Sequence, residues 1–179
     1  MPLSEPQKKV ILSDKRFRVL VTGRRFGKTF IALNELAKFG QYANKKIFYI
    51  SPSYRQSREI MWKPLKEKML EHRWVAKINE TQLTLYLRNG TQISLKGAEN
   101  FDSLRGSSIS LIVMDEAQDI KPEAWYEVLR PTLSDKYTMG SALFCLTPKG
   151  FGNWTYSLFT KKDPEWESFK FTTIEGGQV

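Results

Sequence analysis

Hydrophobic positions along the chain fall into short runs separated by amphipathic stretches, and the period changes from one to the next. Residues 16–22, RFRVLVT, are rich in β-branched and aromatic side chains and predict a strand at Phe17–Thr22. From Phe30 to Phe39 the apolar residues recur at helical spacing, so a loop and a helix follow that strand directly. A short helix is expected near Ser4–Leu12 and a second strand at Lys46–Ser51. The long helix that comes next, about Tyr54–Leu70, opens at SPS, where the Ser53 side chain suits an N-cap.

The stretch WVAKINETQLTLYLRNGTQISLKG alternates apolar and polar positions on both sides of Asn89-Gly90, a pair that tolerates the positive φ angles of a tight hairpin turn. It predicts an antiparallel insertion beside a βαβ sheet. Two mostly apolar runs come after it, at Ile109–Met114 and Ala142–Leu146, as expected of strands covered on both faces. A helix beginning near Pro122 separates them, and a last strand falls near Glu167–Thr173. Strands alternating with helices imply an α/β domain with a mainly parallel sheet flanked by helices, which binds ligands at the strands' carboxyl ends.

Chemistry sits where such a sheet would place it. VTGRRFGKTF, residues 21–30, joins the first strand to its helix, and Gly27-Lys28-Thr29 matches the end of the phosphate-loop pattern G-x-x-x-x-G-K-[ST]. Backbone N–H groups of such a loop and its helix N-terminus face phosphates, Lys28 would reach the β- and γ-phosphates, and Thr29 would ligate Mg²⁺. The match is imperfect, because Thr22 stands at the first glycine and Gly23 comes one residue late. In ISLIVMDEAQD, residues 109–119, an apolar run delivers Asp115 and Glu116 to the sheet edge. Asp115 would hold Mg²⁺ through its water shell, and Glu116 would orient and polarise the water that attacks a γ-phosphate. Thr147, at the end of the next buried run in LFCLTPKGFGNW, could hydrogen-bond the γ-phosphate or Glu116 and couple hydrolysis to the segment after that strand.

Composition narrows the class. A chain of 179 residues suits one α/β domain, and its formal charge of +9 with a pI near 9.6 suits a polyanionic partner. Cys145 is the only cysteine, which excludes an internal disulfide and a cysteine-cluster metal site, and the lone His72 reads as a solvated or capping residue. No apolar run approaches the roughly 20 residues of a membrane helix, and the start MPLSEPQKKV lacks a secretion signal's apolar core, so a soluble intracellular protein is expected.

The order and wording of these segments resemble the ATPase domain of the large terminase subunit, the motor that packages DNA in tailed bacteriophages. The resemblance covers nearly the whole chain and rests on GRRFGKT, SPSYRQSREI, LRGSSISLIVMDEA and LTPKGFGNWTYSLF. It implies a P-loop NTPase fold of the additional-strand, conserved-glutamate type. It also implies an Mg²⁺-dependent ATPase whose ATP hydrolysis powers translocation of double-stranded viral DNA into a procapsid. Arg24 occupies the place of a loop arginine that contacts the phosphates in that family, with Gly23, Arg25 and Gly27 beside it. Gln7 lies where a glutamine ahead of the first strand reads the adenine, and Arg105 resembles an arginine finger inserted by a neighbouring subunit. Arg24 and Arg105 are thus competing sources of a catalytic cation. The implied partners are duplex DNA, further copies in a ring, a portal protein and a small terminase subunit. The implied place of action is the host cytoplasm, at the procapsid portal, without a membrane.

Large terminases usually carry a nuclease domain after the ATPase domain, and FKFTTIEGGQV stands where the family's linker would begin. A single ATPase domain over residues 1–179, the N-terminal part of a longer protein and without nuclease activity, is therefore expected. Two other classes share some of these signals. A helicase-like translocase would have similar nucleotide motifs but needs a second recombinase-like domain, and a nucleotide-dependent switch would have no need of a water-activating Glu116. The basic residues of SYRQSREIMWKPLKEK read as a solvated helix face in preference to a DNA channel.

Overall fold

The computed structural model describes residues 2–134 and 139–176. Its strands are β1 (Phe17–Thr22), β2 (Lys46–Ser51), β3 (Val75–Asn79), β4 (Thr84–Leu87), β5 (Gln92–Gly97), β6 (Leu111–Asp115), β7 (Ser141–Leu146) and β8 (Trp166–Phe171). They form one sheet in the order β3-β4-β5-β2-β6-β7-β1-β8. All pairings from β5 to β8 are parallel, and those of β3 with β4 and β4 with β5 are antiparallel. The Asn89-Gly90 hairpin forms as the sequence predicts, with Gly90 at φ 84°. It extends the sheet, because its second strand, β5, pairs in parallel with β2 from Lys46↔Gln92 to Ser51↔Gly97.

Alternate side chains of each strand point to opposite faces, which gives two cores. Leu20, Ile47, Tyr49, Leu95, Val113 and Leu143 pack beneath α1 (Glu5–Leu12), α2 (Lys28–Gly40) and α4 (Lys63–Glu71). On the other face Phe17, Val19, Phe48, Ile112, Met114 and Phe144 pack against Trp125, Leu129 and Leu158. Burial on both faces explains why the central strands read as nearly continuous apolar runs. Arg18 interrupts this pattern on the first face, where it ion-pairs with the fully buried Glu35 of α2 and donates to the Val10 carbonyl at 3.0 Å.

The helix after β2 begins as α3 (Tyr54–Ser57), capped by Ser53 accepting from Gln56 N–H, and runs through a π-helical turn at Arg58–Trp62 into α4. The next helix is widened in the same way at Ala124–Leu129 before α5 (Arg130–Thr132). Each widened turn lies just ahead of a proline, Pro64 or Pro131, whose missing N–H breaks the regular hydrogen-bond ladder. On the charged face of α3 and α4, ion pairs form between Arg55 and Glu59, Lys63 and Glu67, and Lys66 and Glu80. His72 is exposed and stacks on Trp74 at 4.7 Å. No helix among the described residues is long and apolar enough to cross a membrane.

Candidate active site

The turn between β1 and α2 is shaped by two left-handed residues, Arg25 at φ 65° and Gly27 at φ 96°. Gly27 is the N-cap of α2, so Lys28 and Thr29 open the helix and the N–H groups of its first turn face the turn. Phe26 points inward and is fully buried, stacked on Phe171 at 5.4 Å. Its carbonyl accepts from Gln7 Nε2 at 2.9 Å, and the Arg24 carbonyl accepts from Thr173 Oγ1 at 2.9 Å. The loop is therefore fixed from behind. Arg24 and Arg25, both exposed, line a cavity of about 570 Å³ together with Gly27, Lys28, Thr29 and Glu116, and Pro64 of α4 forms part of the same lining.

β6 ends at this cavity: Glu116 lines it, and the preceding Asp115 is buried behind it. Asp115 is 3% exposed; its Oδ2 accepts from the Tyr49 hydroxyl at 2.7 Å and its Oδ1 from Glu116 N–H at 3.0 Å. Burial pushes the Asp115 carboxyl above the ordinary aspartate range, opposed by the Tyr49 hydrogen bond, and burial together with Asp115 pushes the Tyr49 phenol well up. Glu116 follows at φ 48°, a left-handed conformation that costs a non-glycine residue on the order of 1–3 kcal/mol. The surrounding bonds hold it there. Glu116 Oε2 accepts from Gln118 Nε2 at 2.5 Å and from the Thr147 hydroxyl at 3.5 Å. Lys28 Nζ donates to Thr147 Oγ1 at 3.0 Å and to the Gly23 carbonyl at 3.4 Å. Thr147 N–H donates to Gln118 Oε1 at 3.1 Å, and Asn153 Nδ2 donates to the Gln118 carbonyl at 2.9 Å.

A cation, the Glu116 carboxylate and a helix N-terminus thus meet across three parallel strand ends, with the buried Asp115 next to Glu116 in the chain. Two residues named from the sequence lie outside that meeting point. Gln7 is 1% exposed and has both ends of its amide in use, Nε2 on Phe26 and Oε1 accepting from Ser4 N–H at 3.0 Å. Arg105 is exposed, donates to Asp102 and to the Glu127 carbonyl at 3.0 Å each, and lines a separate cavity of about 410 Å³. Three contributors escaped the sequence reading: Tyr49, Phe26 and Gln118. The last had a visible signal, an amide two positions beyond Glu116 in DEAQ. Tyr49 and Phe26 are hidden inside apolar patterns and show their roles only through contacts distant in sequence.

The fold and this site define a P-loop NTPase-like protein. Residues 19–177 match the family described as terminase large subunit, T4likevirus-type, N-terminal, and the chain belongs to the terminase large-subunit family. The terminase large subunit of Escherichia phage T5 is 31% identical over 170 residues, which are 90% of this chain and 38% of that protein. That of Thermus phage G20c is 31% identical over 168 residues, 82% of this chain and 34% of that protein. The chain therefore spans less than two fifths of the length of these curated relatives. Among solved structures, the large terminase ATPase domain of Thermus phage P74-26 superposes with a TM-score of 0.81 and 26% identity, covering 95% of this chain and 80% of that one. The large terminase of another thermophilic bacteriophage, solved in complex with ADP, shares the fold, with a TM-score of 0.82 and 17% identity over 99% of this chain and 47% of that one.

Proposed function

We propose that this domain binds Mg·ATP in the loop cavity and hydrolyses it to drive duplex DNA into a procapsid, as the ATPase part of a large terminase working beside a portal protein and a small terminase subunit. The observation that carries the reading is the bonded series Lys28, Thr147, Glu116, which joins the phosphate-binding cation to the water-orienting carboxylate through the strand end between them. The family membership and the ADP complex of the thermophilic phage terminase support the choice of nucleotide.

The loop N–H groups and Lys28 take the β- and γ-phosphates, with Arg24 and Arg25 beside them. Thr29 would supply a direct oxygen and Asp115 would act through the water shell to hold Mg²⁺, which takes one or two protein oxygens with phosphates and waters. Held there, the metal would neutralise charge on the β- and γ-phosphate oxygens. Glu116 accepts hydrogen bonds from Gln118 and Thr147 and so presents an oriented carboxylate to the attacking water. The γ-phosphate competes with Thr147 for the Lys28 ammonium, so binding and cleavage are felt at the β7 end. Gln7, buried with both ends of its amide in use, braces the phosphate loop by holding the Phe26 carbonyl. Arg105, remote from its own loop cavity, acts on the nucleotide of a neighbouring subunit in the ring.

Glu116→Gln keeps shape but removes the proton acceptor. It should bind Mg·ATP as tightly as the parent while turnover falls by about 10²-fold or more. Unchanged turnover would exclude the assigned role. Where subunits assemble, mixing Arg105→Ala with Glu116→Gln should restore part of the activity, because some interfaces then pair an intact finger with an intact base. Failure to restore it in mixed rings would move the catalytic cation to Arg24.

A further inference from the structure

The sheet face that carries Phe48 changes character toward the hairpin. Lys46 and Phe48 of β2, Ser94 and Lys96 of β5 and Tyr86 of β4 line a basin of about 210 Å³, closed on one side by Ser107. Phe48, 4% exposed, is its floor. The Lys46 ammonium lies 5.8 Å from the Phe48 ring centroid and the Lys96 ammonium 5.5 Å from the same point. Lys46 donates to Ser107 Oγ at 2.9 Å. The half-buried Lys96 ammonium has no hydrogen bond or ion pair among the described residues, and burial, then the charge of Lys46, pulls its pKa below the ordinary lysine range.

Two like charges share one aromatic floor, and no aspartate or glutamate lines the basin. On α3 and α4, by contrast, exposed cations meet local carboxylates. An aromatic face attracts an ammonium without neutralising it, so the lysines are held in place with their charge still available. The hydroxyls of Ser107 and Tyr86 add donors around the same opening. Charge and donors on this scale suit one tetrahedral oxyanion.

We propose that this basin seats a backbone phosphate of duplex DNA, with Lys46 and Lys96 as its cations. The inference rests on the reading of the domain as a DNA motor and names one place where that DNA touches it. A phosphate seat positions the duplex without reading bases, as a motor that moves any sequence requires.

The test is fluorescence anisotropy of a labelled mixed-sequence duplex titrated with the Mg·ADP-loaded chain at several salt concentrations. The double variant Lys46→Gln, Lys96→Gln should keep nucleotide affinity and melting temperature. Its duplex affinity should fall about tenfold at low salt, and the slope of log K against log salt should shrink by about 1, the change for one lost phosphate contact. Lys63→Gln with Lys66→Gln, which removes the same formal charge from paired positions on α4, should change affinity less than threefold. Equal losses in both pairs, or an unchanged Lys46/Lys96 variant, would overturn the seat while leaving the motor reading intact. No duplex binding by the parent chain at any salt would overturn both. Displacement of duplex by low-millimolar inorganic phosphate, beyond that by chloride at equal ionic strength, would mark a free-anion site and overturn the DNA assignment.

Discussion

One side-chain amide joins Glu116 to Thr147: Gln118 donates from Nε2 to Glu116 Oε2 at 2.5 Å and accepts Thr147 N–H on Oε1 at 3.1 Å. The residue proposed to orient the attacking water and the strand end whose Thr147 accepts from Lys28 are thereby set by a single side chain, in a site where Glu116 is already in a costly backbone conformation.

Gln118→Ala should leave Mg·ATP affinity within about threefold of the parent, because the amide bonds no loop residue. Turnover should fall roughly 10- to 100-fold through loss of orientation, within the range expected of general-base positioning. Gln118→Glu should be worse, since a second carboxylate beside Glu116 repels it and raises the pair's proton affinity. Equilibrium nucleotide binding measured beside steady-state turnover separates the two effects.

Tyr49→Phe tests the metal side. The Tyr49 hydroxyl opposes the effect of burial on Asp115, so its removal should lift the Asp115 carboxyl further above the ordinary range. Mg²⁺ needs the ionised form, so the Mg²⁺ concentration for half-maximal turnover should rise in the variant, more at pH 6 than at pH 8. Equal Mg²⁺ requirements for variant and parent at pH 6 would contradict the assignment.

The buried pair Arg18–Glu35 carries no nucleotide chemistry, and it makes a stability prediction. Glu35→Ala leaves an uncompensated guanidinium in the core and should cost about 3–5 kcal/mol. For a chain of this size that lowers the melting temperature by roughly 6–20 °C. Replacing both, Arg18→Met with Glu35→Leu, should recover most of the loss in a thermal melt.

Phe26→Ala removes the anchor that turns the phosphate loop inward. A buried aromatic truncated to alanine costs about 3–5 kcal/mol. Nucleotide affinity should weaken as well, although Phe26 does not line the cavity, because the loop loses its contact with Phe171. Calorimetric titration of Mg·ADP into the folded variant at low temperature checks this.

The sheet was legible because its central strands are covered on both faces, and β1, β2, β6 and β7 fall within two residues of their apolar runs. The hairpin was legible from Asn89-Gly90, but its pairing was not. Whether β5 stands apart or joins β2 depends on contacts far apart in sequence, which period-two alternation cannot carry. The widened turns before Pro64 and Pro131 were hidden for a different reason, since a proline announces a missing donor and not how the helix absorbs it. Within the site, the placement of Lys28 and Thr29 at the start of α2 and of Asp115 and Glu116 at the end of β6 was readable because each pair is consecutive in sequence and directly follows an apolar run or a glycine turn. Tyr49 was not, because a tyrosine in an apolar strand looks like packing until its hydroxyl is seen on Asp115. Gln7 was expected to turn toward a base, and its burial against Phe26 emerged only with the fold.

The contacts of Thr173 and Gln7 behind the phosphate loop make its shape a property of both ends of the chain. Thr173 reaches the Arg24 carbonyl from 149 positions away, and Gly176 leaves no room for a side chain beside the backbone of Phe26. Shortening the chain to Phe171 would alter no residue of the loop, yet it would strip one of its two braces. The loop backbone is thus held from outside the cavity, by residues 172–176. In mechanical terms, Thr173 is a tether that would pass a displacement of the segment after β8 on to the backbone of Arg24.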